Sequence, residues 1–436
     1  MPINNTKTKV TNDSSQWFSP IPSASTAKRL SLDFGLRSDD LFFRELIVPG
    51  IGSVWFVRQL SWPLAALALR KKLPSSRLRP AEICYAIEAL ACKLEFKYGD
   101  KDSRRTLGRR AFERDENGGQ WSFSQLRKVT NYVRNTHRQA AIRAIRSEQG
   151  LGLAHGTRFD LFELEPVGLQ MAEAFLSQRV GQGRGTTLET WLRNWIEGQQ
   201  QIPDKPKTLR EALTPERATQ KECDLIRTRL LGIDTLACKK RQQLARVIGR
   251  AASLSSIEDV DVTRLRNDGH TAQADEVLAA CAFGAMLDRA RDVVSKLTSA
   301  VESVRGSVAL TTLAKGSDIQ GALENLRKVA NSYIERAGTA KVQLASSHAF
   351  AKAFIDDDGV GGIRFLVQRS DQVLGLANGT VSRGPLFRIV PSTDGSEAPD
   401  NTEDDEQGRA PDFTGRTFRL ANLHALLRDL NAGGAQ

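Results

Sequence analysis

From Ser122 to Ser147 the chain has no Asp or Glu, yet it holds Arg127, Lys128, Arg134, Arg138, Arg143 and Arg146. Leu126, Val129, Val133 and Ala140 recur through the same stretch at helical spacing, and Ser122 with Gln125 has the form of a capping box. The pattern predicts one amphipathic helix over 121–149. Surface helices gain from opposite charges four residues apart, so a helix with six cations and no acid repels itself. Two arrangements relieve the repulsion: a polyanion lying against the helix, or carboxylates supplied by neighbouring elements. In the first, Arg127, Arg134 and Arg138 share a face at i, i+7, i+11 spacing, with Lys128 beside them.

The flanking segments limit the fold further. "VWFVRQLSWPLAALALRKKL" (54–73) is apolar almost all round, which predicts a buried helix kinked or started at Pro63. "RPAEICYAIEALACKLEF" (79–96) has Pro80 and Glu82 at a helix start and an apolar stripe behind them. After the basic stretch, Leu151–Ala154 reads as a short strand, "HGTR" (155–158) as a turn and Phe159–Leu164 as a second strand. Pro166 then opens a new helix.

Helices, a basic helix, a hairpin and a closing helix follow one another in the order of a winged helix. "FDLFELEPVGLQMAEAFL" resembles the second wing strand and closing helix of winged-helix DNA-binding proteins of the MarR and PadR kind. Their usual pattern is aromatic-x-Leu-Thr-x-x-Gly before a helix. Phe162, Leu164 and Gly168 match it, while Glu165 stands where Thr or Ser usually caps, so the start of that helix is expected to differ. The resemblance spans residues 54–178. It implies a third helix in the major groove and a wing along the backbone or in the minor groove. On that expectation the DNA contacts are Arg127, Lys128, Arg134 and Arg138 from the helix, His155 and Arg158 from the wing, and Arg104 and Arg105 from the preceding loop, with Arg109 and Arg110 able to add phosphate contacts. Winged helices also serve as protein-docking modules, and that alternative stays open.

The predicted fold class is mainly α: an N-terminal winged-helix module (helices plus a β-hairpin wing) followed by a C-terminal helical bundle. In detail, 1–30 reads as a disordered polar tail, 31–180 as the winged-helix domain and 181–207 as a linker region rich in Gly, Gln, Pro and Lys. Residues 208–388 read as the bundle, with Thr214 as the cap of a helix over 214–231. Residues 389–413 form an acidic disordered loop, with eight acids against Arg409 between 392 and 412, and 414–436 a last helix and tail.

The net charge of +11 favours a polyanionic partner. No apolar run approaches the roughly 18 residues of a membrane span, and the N-terminus lacks a signal-peptide layout, which predicts a cytoplasmic chain. Cys84, Cys92, Cys223, Cys238 and Cys281 form no C-x-x-C pair and read as buried reduced thiols. No metal and no cofactor is expected: Asp356, Asp357 and Asp358 are adjacent, cannot all face one ion, and suit a polar turn. Phosphate loops and nucleophile elbows are missing. Arg419 and His424 have the R-x-x-x-x-H spacing that resembles the ribonuclease motif of HEPN helical bundles.

The expected function is a non-enzymatic DNA-binding or adaptor subunit of a bacterial multi-protein system for DNA processing, antiphage defence or chromosome maintenance. Its expected partners are double-stranded DNA and other protein subunits, with a homodimer left open. The layout loosely resembles kleisin-like subunits of condensin complexes. The alternatives are a winged-helix transcriptional regulator and a HEPN-like RNA-cleaving effector.

Overall fold

Most of these apolar stripes become helices, and among the described residues no strand exceeds four residues. The computed structural model describes residues 32–73, 77–101, 103–114, 121–146, 150–181, 185–249, 251, 253–254, 256–304, 306–356, 359–385 and 416–432. The expected tail over 1–30, the acidic loop over 389–413, and Asp357 and Asp358 lie outside the described residues.

In chain order the first helices are α1 (Arg37–Ile47), α2 (Arg58–Lys72), α3 (Pro80–Tyr98), α4 (Arg109–Glu113), α5 (Phe123–Leu126) and α6 (His137–Ile145). Strands β1 (Ala154–His155) and β2 (Glu163–Leu164) pair antiparallel and lead into α7 (Pro166–Leu176). A second antiparallel pair, β3 (Arg179–Val180) and β4 (Thr186–Thr187), precedes α8 (Leu188–Ile196), α9 (Lys207–Leu213), α10 (Gln220–Arg227) and α11 (Leu236–Ile248). Then come α12 (Val262–Asn267), the long α13 (Thr271–Val304), α14 (Leu310–Ala314), α15 (Ser317–Thr339), α16 (Ala345–Ile355) and α17 (Val360–Arg369), and finally α18 (Leu420–Ala432). Strands β5 (Val308–Ala309), β6 (Leu374–Ala377) and β7 (Thr380–Arg383) form a three-stranded antiparallel sheet in the order β5-β7-β6.

The chain divides into two compact units. One comprises Leu36–Gly284, Ser332–Ser347 and Asp400–Gln436; the other comprises Met1–Gly35, Ala285–Asn331 and His348–Pro399. In the first, α2 is the central helix, buried from Arg58 to Leu69 and packed by α3, α6 and α7. It starts at Arg58 and keeps Pro63 in its interior, rather than starting or stopping at the proline. The start is fixed by one acceptor from the helix's own first turn and one from far along the chain: Gln59 Oε1 accepts from Trp55 N at 2.8 Å, and Asp429 Oδ2 of α18 accepts from Val57 N at 2.8 Å. A carboxylate beside the first amides of a helix satisfies free donors and opposes the helix dipole.

Arg58 is also interior. Its guanidinium donates to Arg217 O and Ala212 O, both at 2.7 Å, and lies 4.7 Å over the Phe175 ring. Glu222 accepts from Ser61 Oγ at 2.5 Å and from Thr219 N at 2.7 Å. These bonds tie α9 and α10, expected in a separate bundle, onto the N-terminal helices. Thr219, with Glu222, caps α10; Thr214 instead accepts from Glu216 N and donates to Glu95. The expected 181–207 linker contains the ordered, amphipathic α8, capped by Thr187, with Leu188, Trp191, Leu192 and Trp195 buried. In the other unit, Phe350, Phe354 and Phe365 form a ring cluster, and Arg369 lies 5.0 Å from the Phe365 ring centre.

Candidate nucleic-acid interface

The basic stretch is not one rod. It forms α5, a 3-10 turn over Val129–Asn131, and α6, which restarts at His137. The reason lies in side chains that compete with the helical ladder. Asn131 Nδ2 donates to Gln125 O at 2.9 Å, taking the carbonyl that the next helical amide would use. Tyr132 and Val133 turn inward, and Val129, expected inside, is 54% exposed.

The pull comes from Glu88 on α3, which is fully buried. Its carboxylate accepts from Tyr132 Oη at 3.0 Å, His137 N at 2.8 Å and Arg138 N at 3.2 Å. The last two amides open α6, so Glu88 stands at the positive end of that helix. Burial pushes the Glu88 carboxyl up to about 7 against the pull of these donors. His137 sits beside it in a ring of Phe56 and Trp62. A neutral imidazole satisfies both its bonds: Nδ1 accepts from the Gln59 amide and Nε2–H donates to Arg105 O, each at 3.0 Å. Burial pushes His137 down to about 4.

With the rod broken, Arg127, Arg134 and Arg138 do not share a helical face, and each expected contact residue has its own setting. Arg127 lies 3.6 Å from Glu82 on α3. Lys128, Arg134 and Arg158 are exposed and make no ion pair among the described residues. Arg138 is half-buried, 5.1 Å over the Phe159 ring. His155 Nδ1 meets Glu165 Oε1 at 2.9 Å, so this histidine, expected to face DNA, is engaged by the residue that follows its own hairpin. Arg104 is exposed in the turn after α3. Arg105 is committed to the interior: its side chain is 19% exposed, pairs with Asp429 at 2.7 Å and donates to Pro215 O at 2.9 Å. Carboxylates from neighbours thus answer part of the charge, including Glu45 for Arg143 at 2.9 Å.

What remains gathers at the first turns of α3. Ala81 N donates to Asp160 Oδ1 at 2.8 Å, anchoring the turn that follows Arg158. One helical turn on, Tyr85 Oη donates to Val133 O at 2.8 Å, anchoring the segment that bears Arg134. Glu82 lies between, flanked by Arg79 (3.5 Å) and Arg127. Arg77 and Arg79, both exposed, extend the cationic rim and were not singled out from sequence; the signal was present in "RLRP", where cations crowd a helix start that ordinarily favours acids.

The hairpin is shorter than expected. Two residue pairs, Ala154–Leu164 and His155–Glu163, hold it, and Phe159–Leu161 forms a 3-10 turn. Glu165 makes no side-chain cap at α7, as its chemistry implied, and Gly168 is required because a Cβ there would collide with the Leu153 carbonyl. Arg419 and His424 are both buried: Arg419 pairs with Glu45, and His424 Nε2 lies 2.9 Å from Ala251 O, so they offer no accessible acid–base couple. Four of the five cysteines are buried, and all are free. Among the described residues no helix is long and apolar enough to cross a membrane, and no His, Cys, Asp and Glu side chains cluster as metal ligands. No protein-family model, curated protein or solved structure matches the chain.

Proposed function

We propose that the protein is a DNA-binding adaptor that grips duplex DNA through its phosphates, at the cationic face around the first turns of α3, and presents that DNA to partner proteins. The reading rests on Lys128, Arg134 and Arg158, which are exposed and without carboxylate partners among the described residues. The segments that bear them are anchored one helical turn apart on α3. Three unanswered cations on fixed backbone are a poor arrangement for a free surface and a good one for a phosphate backbone, whose condensed counterions they displace. The order α6, β1–β2 hairpin, α7 supports a winged-helix-like module. In this version the binding face shifts from the helix before the wing to the junction of α3, the 3-10 turn and the hairpin. Ala140 O accepts from Ser53 N at 3.2 Å, so one side of α6 is already covered.

Fluorescence anisotropy on a labelled duplex of arbitrary sequence tests this. Wild type is expected to bind with an affinity that falls steeply with salt. Changing Lys128, Arg134 and Arg158 together to Ala flattens the log–log salt slope by about 3 if each neutralises one phosphate. A protein that does not bind duplex at low salt, or a triple variant with an unchanged slope, overturns the proposal.

A further inference from the structure

The segments that bear the exposed cations rest on a buried negative charge that phosphate binding does not use. Ala81, Tyr85 and Glu88 stand at i, i+4 and i+7 on α3, so they lie along one side of that helix. The first two hold the segments that bear Arg158 and Arg134, through Asp160 and Val133 O. Glu88 holds the rest of the second segment. Its carboxylate accepts from Tyr132 Oη on one side of Arg134 and from the amides of His137 and Arg138 on the other. The carboxylate is fully buried, and all three donors are neutral. Other buried acids of this unit have a cation of their own: Glu95 lies 3.5 Å from Arg210, Glu222 3.6 Å from Arg58 and Asp429 2.7 Å from Arg105. Glu88 makes no ion pair among the described residues.

A carboxylate without its own cation, behind the segment that bears Arg134, lowers the potential that the surface presents, and a buried charge is poorly screened by salt. A proton removes that charge most readily, because burial already pushes the carboxyl up to about 7. The groups that face Glu88 leave the proton to it. From α3 these are Cys84, Cys92 and Tyr85, and from the turn before α6 Tyr132; burial pushes all four up, so they stay neutral near pH 7. From α6 they are His137, pushed down to about 4 and so also neutral, and Arg138, a permanent cation. From α2 comes the neutral Gln59, bonded to His137. Protonation gives up one bond of the network at most: Oε1 keeps Tyr132 and His137, while a hydroxyl at Oε2 faces Arg138 N. The backbone before Arg134 stays held by Tyr85 in either state.

We infer that Glu88 is a proton switch behind the DNA-binding face: its carboxylate weakens the grip on phosphates, its protonated form strengthens it, and DNA binding takes up a proton. The inference rests on the phosphate-binding reading and adds its regulation by pH. By linkage, a bound polyanion must in turn tighten the hold of Glu88 on its proton.

Fluorescence anisotropy on a labelled duplex, at fixed ionic strength between pH 6 and 9, tests this on the full chain. Wild type is expected to bind roughly tenfold more weakly at pH 9 than at pH 6, the scale of one charge acting through part of a protein interior. Glu88→Gln, neutral at every pH, is expected to keep most of the tight low-pH affinity throughout. His155 is an exposed imidazole that both proteins carry, so the difference between them isolates Glu88. If Glu88→Gln does not fold, calorimetry on His155→Gln in buffers of different ionisation enthalpy decides instead. About half a proton taken up per complex near pH 7.5, as a tenfold effect through one group requires, supports the switch; no uptake overturns it. A pH dependence as large in Glu88→Gln as in wild type, or a wild type that binds more tightly at pH 9, overturns the switch and leaves the phosphate reading standing. No duplex binding at any pH removes both.

Discussion

Burying the Glu88 carboxylate should leave a pH signature that Glu88→Gln erases. Glu88 titrates at about 7 when folded, against an ordinary 4.5, because burial penalises its charge more than three donors reward it. An acid raised in this way favours the folded state most below pH 4.5, and the contribution is lost as pH rises through 7. A shift of this size corresponds to about 3 kcal/mol. His137 works in the opposite sense. Its imidazole is buried neutral and falls to about 4 from 6.5, so its contribution is complete above 6.5 and lost as pH falls through 4. Between pH 4.5 and 6.5 the two slopes oppose each other, and the wild-type contributions from this pair nearly cancel. The groups facing Glu88 are Tyr132, Cys84, Cys92, Arg138 and His137. Of these, His137 alone is moved to an acidic value, about 4. Urea unfolding between pH 4 and 8.5, followed by the fluorescence of Trp55 and Trp62 beside this cluster, measures the effect. The variant is expected to be less stable at low pH, because its amide sets a donor against one of the backbone donors. The informative quantity is the difference between the proteins: wild type should lose about 3 kcal/mol relative to Glu88→Gln between pH 4 and 8. A difference that stays flat would show that the three donors fully compensate burial, and the reasoning would fail.

Two other substitutions separate interior from surface charge. Arg105→Ala should destabilise the protein by roughly 3 kcal/mol, since it leaves Asp429 buried beside Val57 N without its cation; thermal melting reads it, and a melting point unchanged from wild type would return Arg105 to the DNA-contact set. His424→Ala should lower stability by about 1 kcal/mol through loss of its bond to Ala251 O, with any RNA cleavage by wild type unaffected; loss of such cleavage in a folded variant would revive the HEPN-like reading.

Local rules read the long elements well. Pro80 with Glu82 starts α3 where their chemistry requires, and Pro166 and Gly168 set α7 in place against Leu153. Long-range satisfaction of buried groups defeated the same rules elsewhere. Nothing near Pro63 in sequence announces that Asp429, more than 360 residues later, caps α2. Nothing in 121–149 announces that Glu88 claims the amides of His137 and Arg138. The hydrophobic stripe drawn through Leu126, Val129, Val133 and Ala140 was half right: Leu126 and Val133 are buried, while Val129 is exposed and Ala140 half-buried, because the ladder breaks between them. For the candidate interface, the residue types were legible and the face was not. Arg105 and Arg138 turn into the structure, while Arg77 and Arg79 join from a segment that offered only "RLRP".

Interior and surface in this region are therefore one problem. A carboxylate buried on α3 needs donors, and the nearest supply is the start of a helix. Providing one forces 122–147 to break and restart at His137. The break gives up several backbone bonds of a continuous helix, and those groups turn to side chains or solvent. It also spreads cations that a single rod would have stacked along one side, and this lowers their mutual repulsion before any partner arrives. The freed turn then directs Val129, Lys128 and Arg134 outward on a backbone pinned at Gln125, Tyr85 and Glu88. A surface fixed from beneath at three points would lose little further freedom on binding, so under the proposed function the entropy already lost in folding the buried network would not be lost again when DNA docks.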